Sequence, residues 1–239
     1  MNIQVLVSTF ESVALLLSMG IFGLWIISKR ILPKEALHLF SILALDIALP
    51  SLVFVNILQD FRPSEFQKWW LLPLWWAGLT IFFVGMTALF SFVSKREFRR
   101  EFAVSLFYQN GLFFTLAIIT GIFGSGSPYI VDLFLFMLLF PSLLFSTAHL
   151  FFGKTENTFN WVKIINRILL STIAAIFLRL IGAEDIVPDF VASALKMVGD
   201  MTLPLLMIIL GGNIYIDFKD KGRIYPMETA KFVVVKKFW

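Results

Sequence analysis

The chain has 239 residues, 59% of them hydrophobic, with 28 Phe, 7 Trp and only 15% charged residues. A soluble domain has no surface on which to place so much apolar side chain, so the composition implies an integral membrane protein. The net charge of +4 sits in short basic clusters between apolar runs, not in an aromatic-interleaved stripe of the kind that binds nucleic acid, and the lack of cysteine excludes disulfides, thiolate catalysis and cysteine metal sites.

The first nine residues carry no Lys or Arg and no small-residue cleavage site follows, so the first apolar run is expected to stay as a helix and not to be removed as a signal peptide. A spanning helix needs about 20 mostly apolar residues, and seven candidates follow in order. The first covers about 12–32 and closes on Lys29, Arg30 and Lys34. The second, about 36–58, contains Asp46 and Pro50. The third, 69–94, has no charge, opens on Trp69, Trp70, Trp75 and Trp76, which suit a membrane–water interface, and closes at Lys95-Arg96. The fourth lies within the charge-free stretch 102–131 and ends near the turn signal Gly124-Ser125-Gly126-Ser127-Pro128. The fifth, about 129–153, is broken by Pro141; the sixth covers about 162–182 and the seventh about 190–216. The remaining tail is long enough to begin an eighth helix and too short to complete one. These runs are too long for barrel strands and do not alternate. The predicted fold is therefore all-α and membrane-spanning, with short loops and antiparallel neighbours.

Loop charge predicts orientation. The connections after the first, third, fifth and seventh segments hold Lys29/Arg30/Lys34, Lys95/Arg96/Arg99/Arg100, Lys154/Lys163/Arg167 and Lys219/Lys221/Arg223. The connection after the second balances Arg62 and Lys68 against Asp60 and Glu65, the one after the fourth has no basic residue, and the one after the sixth carries Glu184 and Asp185. The positive-inside rule puts the N-terminus outside and the odd-numbered connections in the cytoplasm of a cell (plasma or inner) membrane.

An internal echo joins the second and seventh segments. Leu45-Asp46-Ile47-Ala48-Leu49-Pro50 returns 154 residues later as Gly199-Asp200-Met201-Thr202-Leu203-Pro204, each copy placing an aspartate four residues before a proline. Ile31-Leu32-Pro33 and Ile186-Val187-Pro188 precede the two copies. The second segment enters from the cytoplasm and the seventh from outside, so the copies are inverted, as in many secondary transporters. At about 1.5 Å rise per residue, ten helical residues from Ala36 to Asp46, or from Phe190 to Asp200, reach roughly the middle of a hydrocarbon core about 30 Å thick. A carboxylate at that depth is a functional candidate by default. The plainer reading is that Asp46 and Asp200 hydrogen-bond neighbouring helices or cap backbone freed by Pro50 and Pro204.

Other polar groups are few. Tyr108-Gln109-Asn110-Gly111 lies in the fourth segment, where adjacent amides beside a glycine would let the helix unwind and offer donors to an anion or polar substrate; interhelical amide bonding is the alternative. Asn56 and Asn213 fall near predicted helix ends, where capping accounts for them. Pro141 reads as a kink, Arg179 as a snorkelling cation, and His38 and His149 are isolated. No nucleophile elbow, Walker loop, HExxH or dinucleotide fingerprint is present, and the aspartates lack the motifs of intramembrane aspartyl proteases, so no enzyme is expected.

Several stretches carry a family resemblance. Lys29-Arg30-Ile31-Leu32-Pro33-Lys34-Glu35-Ala36-Leu37, Ala48-Leu49-Pro50-Ser51-Leu52-Val53-Phe54-Val55-Asn56 and Ala194-Leu195-Lys196-Met197-Val198-Gly199-Asp200-Met201-Thr202-Leu203-Pro204-Leu205 resemble, in order, the first connection, second helix and seventh helix of the auxin efflux carrier family of permeases. The resemblance implies two inverted five-helix repeats, here 1–160 and an incomplete 161–239, with helices one, two, six and seven as scaffold. It implies a small organic anion as substrate at Gln109, Asn110 and Gly111 with Asn56, a structural or coupling role for Asp46, Pro50, Asp200 and Pro204, no metal or cofactor, and a homodimer through the scaffold. Two departures stand out: Leu116 occupies the place expected for a proline after the helix-four break, and helices nine and ten are missing. The chain alone is therefore expected not to transport, and a seven-helix sensor or assembly module without flux is the alternative.

Overall fold

The computed structural model describes residues 3–64, 68–91, 112–124, 127–140, 143 and 166–221. Among them there is no strand. The elements are α1 (Ile3–Ser28), α2 (Ala36–Asp60), α3 (Leu71–Ser91), α4 (Phe113–Phe123), α5 (Pro128–Phe136), α6 (Arg167–Leu180), α7 (Asp189–Asp200) and α8 (Thr202–Lys221). Among the described residues four stretches are long and apolar enough to cross a membrane: Val7–Ser28, Ala36–Asp60, Leu71–Leu89 and Asp189–Lys219. They fall on the first, second, third and seventh candidates, and the last joins α7 and α8.

The sequence explains the ends. α1 closes on bonds from Lys29 N–H to Trp25 O and from Ile31 N–H to Ile26 O, with Arg30 in the left-handed position (φ 56°) that glycine more often fills. At the two described ends of the predicted turn, Gly124 leaves α4 at φ 84°, and Ser127 caps α5 ahead of Pro128 at its first position. Asn166 caps α6, its Oδ1 accepting from Leu169 N–H at 2.9 Å.

Proline shapes both copies of the echo. A proline lacks an N–H and its ring presses on the carbonyl four residues earlier, and four residues earlier stands Asp46 in one copy and Asp200 in the other. In α2 the strain is absorbed as a π-helical stretch, Leu43–Ala48, and the helix continues. In the second copy the helix stops at Asp200, turns at Met201 and restarts at Thr202.

α2 is the most enclosed span. Leu49, Leu52, Val53, Ile57 and Phe61 pack into one core with Leu116 of α4, Val131 and Leu135 of α5, and Ile168, Ala175 and Ile176 of α6. Arg167 lies beside Asp46 and Arg179 beside Gln59, so α6 runs parallel to α2. α7 runs back along α2, with Gly199 against the Leu52 backbone. α1 and α8 form the most extensive contact and run parallel, from Leu16 with Met207 to Ile27 with Gly212. Lipid is as apolar as a protein core, so close backbone approach, not apolar burial, holds such a pair together. Gly23 against Ile208 and Gly211 against Gly20 provide that approach. Phe10, Leu17 and Ile21 on α1, and Trp75, Ile81 and Phe82 on α3, are exposed, as lipid-facing surfaces require.

Candidate functional site

A half-open cavity of about 290 Å³ lies where α1, α2, α4, α5, α7 and α8 meet. Its wall is mostly apolar, from Leu15, Leu16, Met19, Leu52, Leu116, Ile130 and Leu203. The polar groups are Ser12, Asn56, Thr120, Lys196 and Asp200, with Gly121, Gly199 and Pro204 completing the lining. Backbone geometry opens it: Gly121 lets α4 approach Ser12, and the turn at Met201 tilts Asp200 and Pro204 toward α1 and α2.

The predicted residues separate into two groups. Asn56, Asp200 and Pro204 come together in the cavity. Asn56 stands one turn before the end of α2 but does not cap it; it is 5% exposed, and its Nδ2 donates to Leu52 O at 2.7 Å. Asp46 and Pro50 do not line the cavity. Pro50 is buried in α2, and Asp46 makes an ion pair with Arg167 at 2.7 Å. Gln109, Asn110 and Gly111 lie outside the described residues, as do Pro141 and His149. Leu116, five residues beyond Gly111, is buried and lines the cavity. Asn213 is exposed within α8, and His38 is exposed near the start of α2. The described residues hold no cluster of ligands for a metal.

The hydrogen bonds already made inside the wall determine what the cavity offers a ligand. The Ser12 hydroxyl donates to Ser8 O and the Thr120 hydroxyl to Leu116 O, each at 2.7 Å, so both present only lone pairs inward. Asn56 retains one amide hydrogen. Lys196 carries three donors and stands 3.6 Å from Asp200, an (i, i+4) ion pair too long for a hydrogen bond.

Three features escaped the sequence reading. Lys196 stands one helical turn before Asp200, a spacing that puts both on one face. Arg179 has protein partners at the end of its helix: its side chain is 14% exposed, and it donates to Glu184 Oε1 at 2.6 Å and to Gln59 O at 2.7 Å, tying the ends of α2 and α6. The Glu184 carboxyl is held below the ordinary glutamate range by its own backbone N–H and then by Arg179. Asp132 lines a separate open, apolar cleft of about 470 Å³ with Leu72, Ile119, Phe123, Tyr129, Leu133 and Phe136.

A family model described as membrane transport protein matches residues 8–159, more than half of the chain. No curated protein and no solved structure matches.

Proposed function

The chain belongs to the membrane transport protein family, the auxin efflux carrier family that its second and seventh segments resemble, and from that premise we propose that it is a secondary carrier (permease) of a small organic anion. Family members are transporters and not enzymes, and this chain is a multi-pass membrane protein whose apolar helices sit in the lipid bilayer. The observation that carries the anion reading is the cavity. It joins a buried amide, a lysine, an aspartate, two hydroxyls and a broken helix in a mostly apolar wall, the usual composition of a small-ligand site.

In this reading Gln109, Asn110 and Gly111 supply further donors from the chain that leads into α4, and Asn56 faces the same ligand. Asp46, Pro50, Asp200 and Pro204 shape the scaffold. The halves 1–160 and 161–239 are inverted repeats, and the packing supports this. Leu52 of the first copy lies on Gly199 of the second, while Ala44 clusters with Leu205 and Ile209. A shift of 154 residues carries Leu52–Gly199 to Leu206–Leu45, each one residue from Leu205–Ala44, and it carries the parallel pair α1 with α8 onto the parallel pair α6 with α2. The loop charges favour an N-terminus outside a plasma or inner membrane, and the exposed faces of the scaffold helices suit a homodimer.

Uptake of labelled carboxylates into proteoliposomes, read beside equilibrium binding, tests the proposal. Asn110→Ala and Asn56→Ala should each weaken binding by roughly tenfold, the loss expected for one hydrogen bond to a charged group. Wild-type affinity in both variants would remove these residues from the site. No binding or uptake of any carboxylate by the wild type would overturn the anion-carrier reading.

A further inference from the structure

We infer that Lys196 is the group on which a ligand carboxylate lands in this cavity, and that Asp200 is its built-in competitor; the inference rests on the anion-carrier reading above. Among the described lining residues Lys196 is the only cation, and the hydroxyl hydrogens of Ser12 and Thr120 are already committed to backbone carbonyls. An anion entering the cavity therefore has the Lys196 ammonium and the second Asn56 amide hydrogen to bind.

The pairing of Lys196 leaves it available. Its distance of 3.6 Å from Asp200 gives a charge contact without a hydrogen bond, and the two side chains are 38% and 57% exposed. Among the described residues Lys196 donates no hydrogen bond, and Asp60 is a second carboxylate within its electrostatic reach. Ion pairs of this kind are weak, so a carboxylate with hydrogen-bonding geometry can displace Asp200 from the ammonium. The first copy of the echo gives the contrast. There Asp46 is held by Arg167 at 2.7 Å. Shifting back by 154 residues carries Arg167 to Val13, next to the cavity-lining Ser12, and carries Lys196 to Ile42. The second copy lacks the guanidinium, has a cavity in its place, and has gained a lysine on the aspartate's own helix.

The walls define the ligand class. One cation and a lining of Leu15, Leu16, Met19 and Leu203 fit a single carboxylate on an apolar body. At about 290 Å³ the cavity is at the small end of ligand pockets, which run from roughly 300 to 1,000 Å³.

The test uses the purified full chain with acetate, benzoate, 3-phenylpropionate and succinate as probes and benzamide as the uncharged isostere, read by calorimetry and thermal shift. Benzoate or 3-phenylpropionate should bind more tightly than succinate, and benzamide should not bind. Lys196→Met should weaken the carboxylate by roughly tenfold to a hundredfold, as the loss of a charge-assisted bond predicts. Lys196→Arg should retain binding, and Asp200→Asn should tighten it. A Lys196→Met chain with wild-type melting temperature and wild-type carboxylate affinity overturns the inference and leaves the carrier reading standing. Weaker binding in Asp200→Asn overturns the competitor role, and a preference for succinate overturns the single-carboxylate class. If none of the four acids binds the wild type, the carrier reading fails and the inference with it.

Discussion

The contact that joins the two copies of the echo rests on one missing methyl group. A Cβ built on Gly199 stands 2.7 Å from Leu52 Cα, 2.8 Å from Leu52 N and 3.1 Å from Leu52 Cβ. Carbon atoms pack at about 3.5–4.0 Å, so Gly199→Ala forces the two backbones apart by about 1 Å. Leu52 cannot yield, because its helix is buried on its other sides by α5 and α6. Overpacking of this kind costs about 1–3 kcal/mol, and the better helix propensity of alanine returns about 1 kcal/mol. The expected net change is a destabilisation of up to about 2 kcal/mol. Gly85, exposed on α3 with nothing within 4 Å of its Cβ position, is the internal control. There Gly→Ala brings only the propensity gain. Thermal unfolding in detergent should separate the two variants by several degrees, taking about 2–4 °C per kcal/mol for a chain of this size. If Gly199→Ala melts at or above Gly85→Ala, the close approach of α7 to α2 is wrong.

A double-mutant cycle of Asp46→Asn and Arg167→Met should give a coupling of no more than about 1 kcal/mol, because both side chains are substantially exposed; a larger value would mean that the pair is enclosed. The lowered pKa of Glu184 predicts stability that is fully present above the ordinary glutamate range and is lost as pH falls through the lowered folded-state value. Wild-type melting should therefore drop toward that of Glu184→Gln as pH is taken from 6 toward about 3, and parallel pH curves would refute the clip. Asn166→Ala removes the cap of α6 and should cost about 1 kcal/mol, read as loss of thermal stability. Thr202 is fully buried, and its hydroxyl has no partner among the described residues. Thr202→Val should be neutral or stabilising by up to about 1 kcal/mol, and a clear loss would reveal a bond to that oxygen.

Features that depend on runs of residues were legible in the sequence. Apolar length located the four spans found among the described residues, and glycine with proline located the end of α4 at Gly124 and the start of α5 at Pro128. The aspartate-to-proline spacing located the two disturbed helices, since a proline's effect on the carbonyl four residues back is local. Features that depend on one side chain meeting another across the fold were not. Arg167 reads as a loop charge, and nothing in its neighbourhood points to Asp46, 121 residues earlier. Ser12 and Thr120 are single hydroxyls in apolar runs, and only the crossing of α1 over Gly121 makes them neighbours of Asp200. Gly20, Gly23, Gly211 and Gly212 line one helix seam, but their spacings do not repeat as a single motif. Among the cavity residues not named from the sequence, Lys196 was the one within reach, through its one-turn offset from Asp200.

Burial explains why one local rule gives two outcomes. Both copies deprive an aspartate carbonyl of its partner four residues on. From Ala48 to Leu58, α2 is buried at nearly every position, with α5, α6 and α7 around it. With the helix beyond Ala48 enclosed, the lost bond is taken up just before it as a π-helical widening at Leu43–Ala48, where only Ala44 and Ala48 are buried. The second copy has α2 on one side and the cavity on the other, and Met197 and Met201 are exposed. With room on one side, the chain turns at Met201, and the turn brings Asp200 and Pro204 to the cavity wall. Asp46 keeps an ion pair with Arg167 at hydrogen-bonding distance, 2.7 Å, on an exposed face of its helix. The aspartate in the open copy is left with a lysine that it holds loosely, and that pair is the part of the echo free to exchange a partner for a ligand.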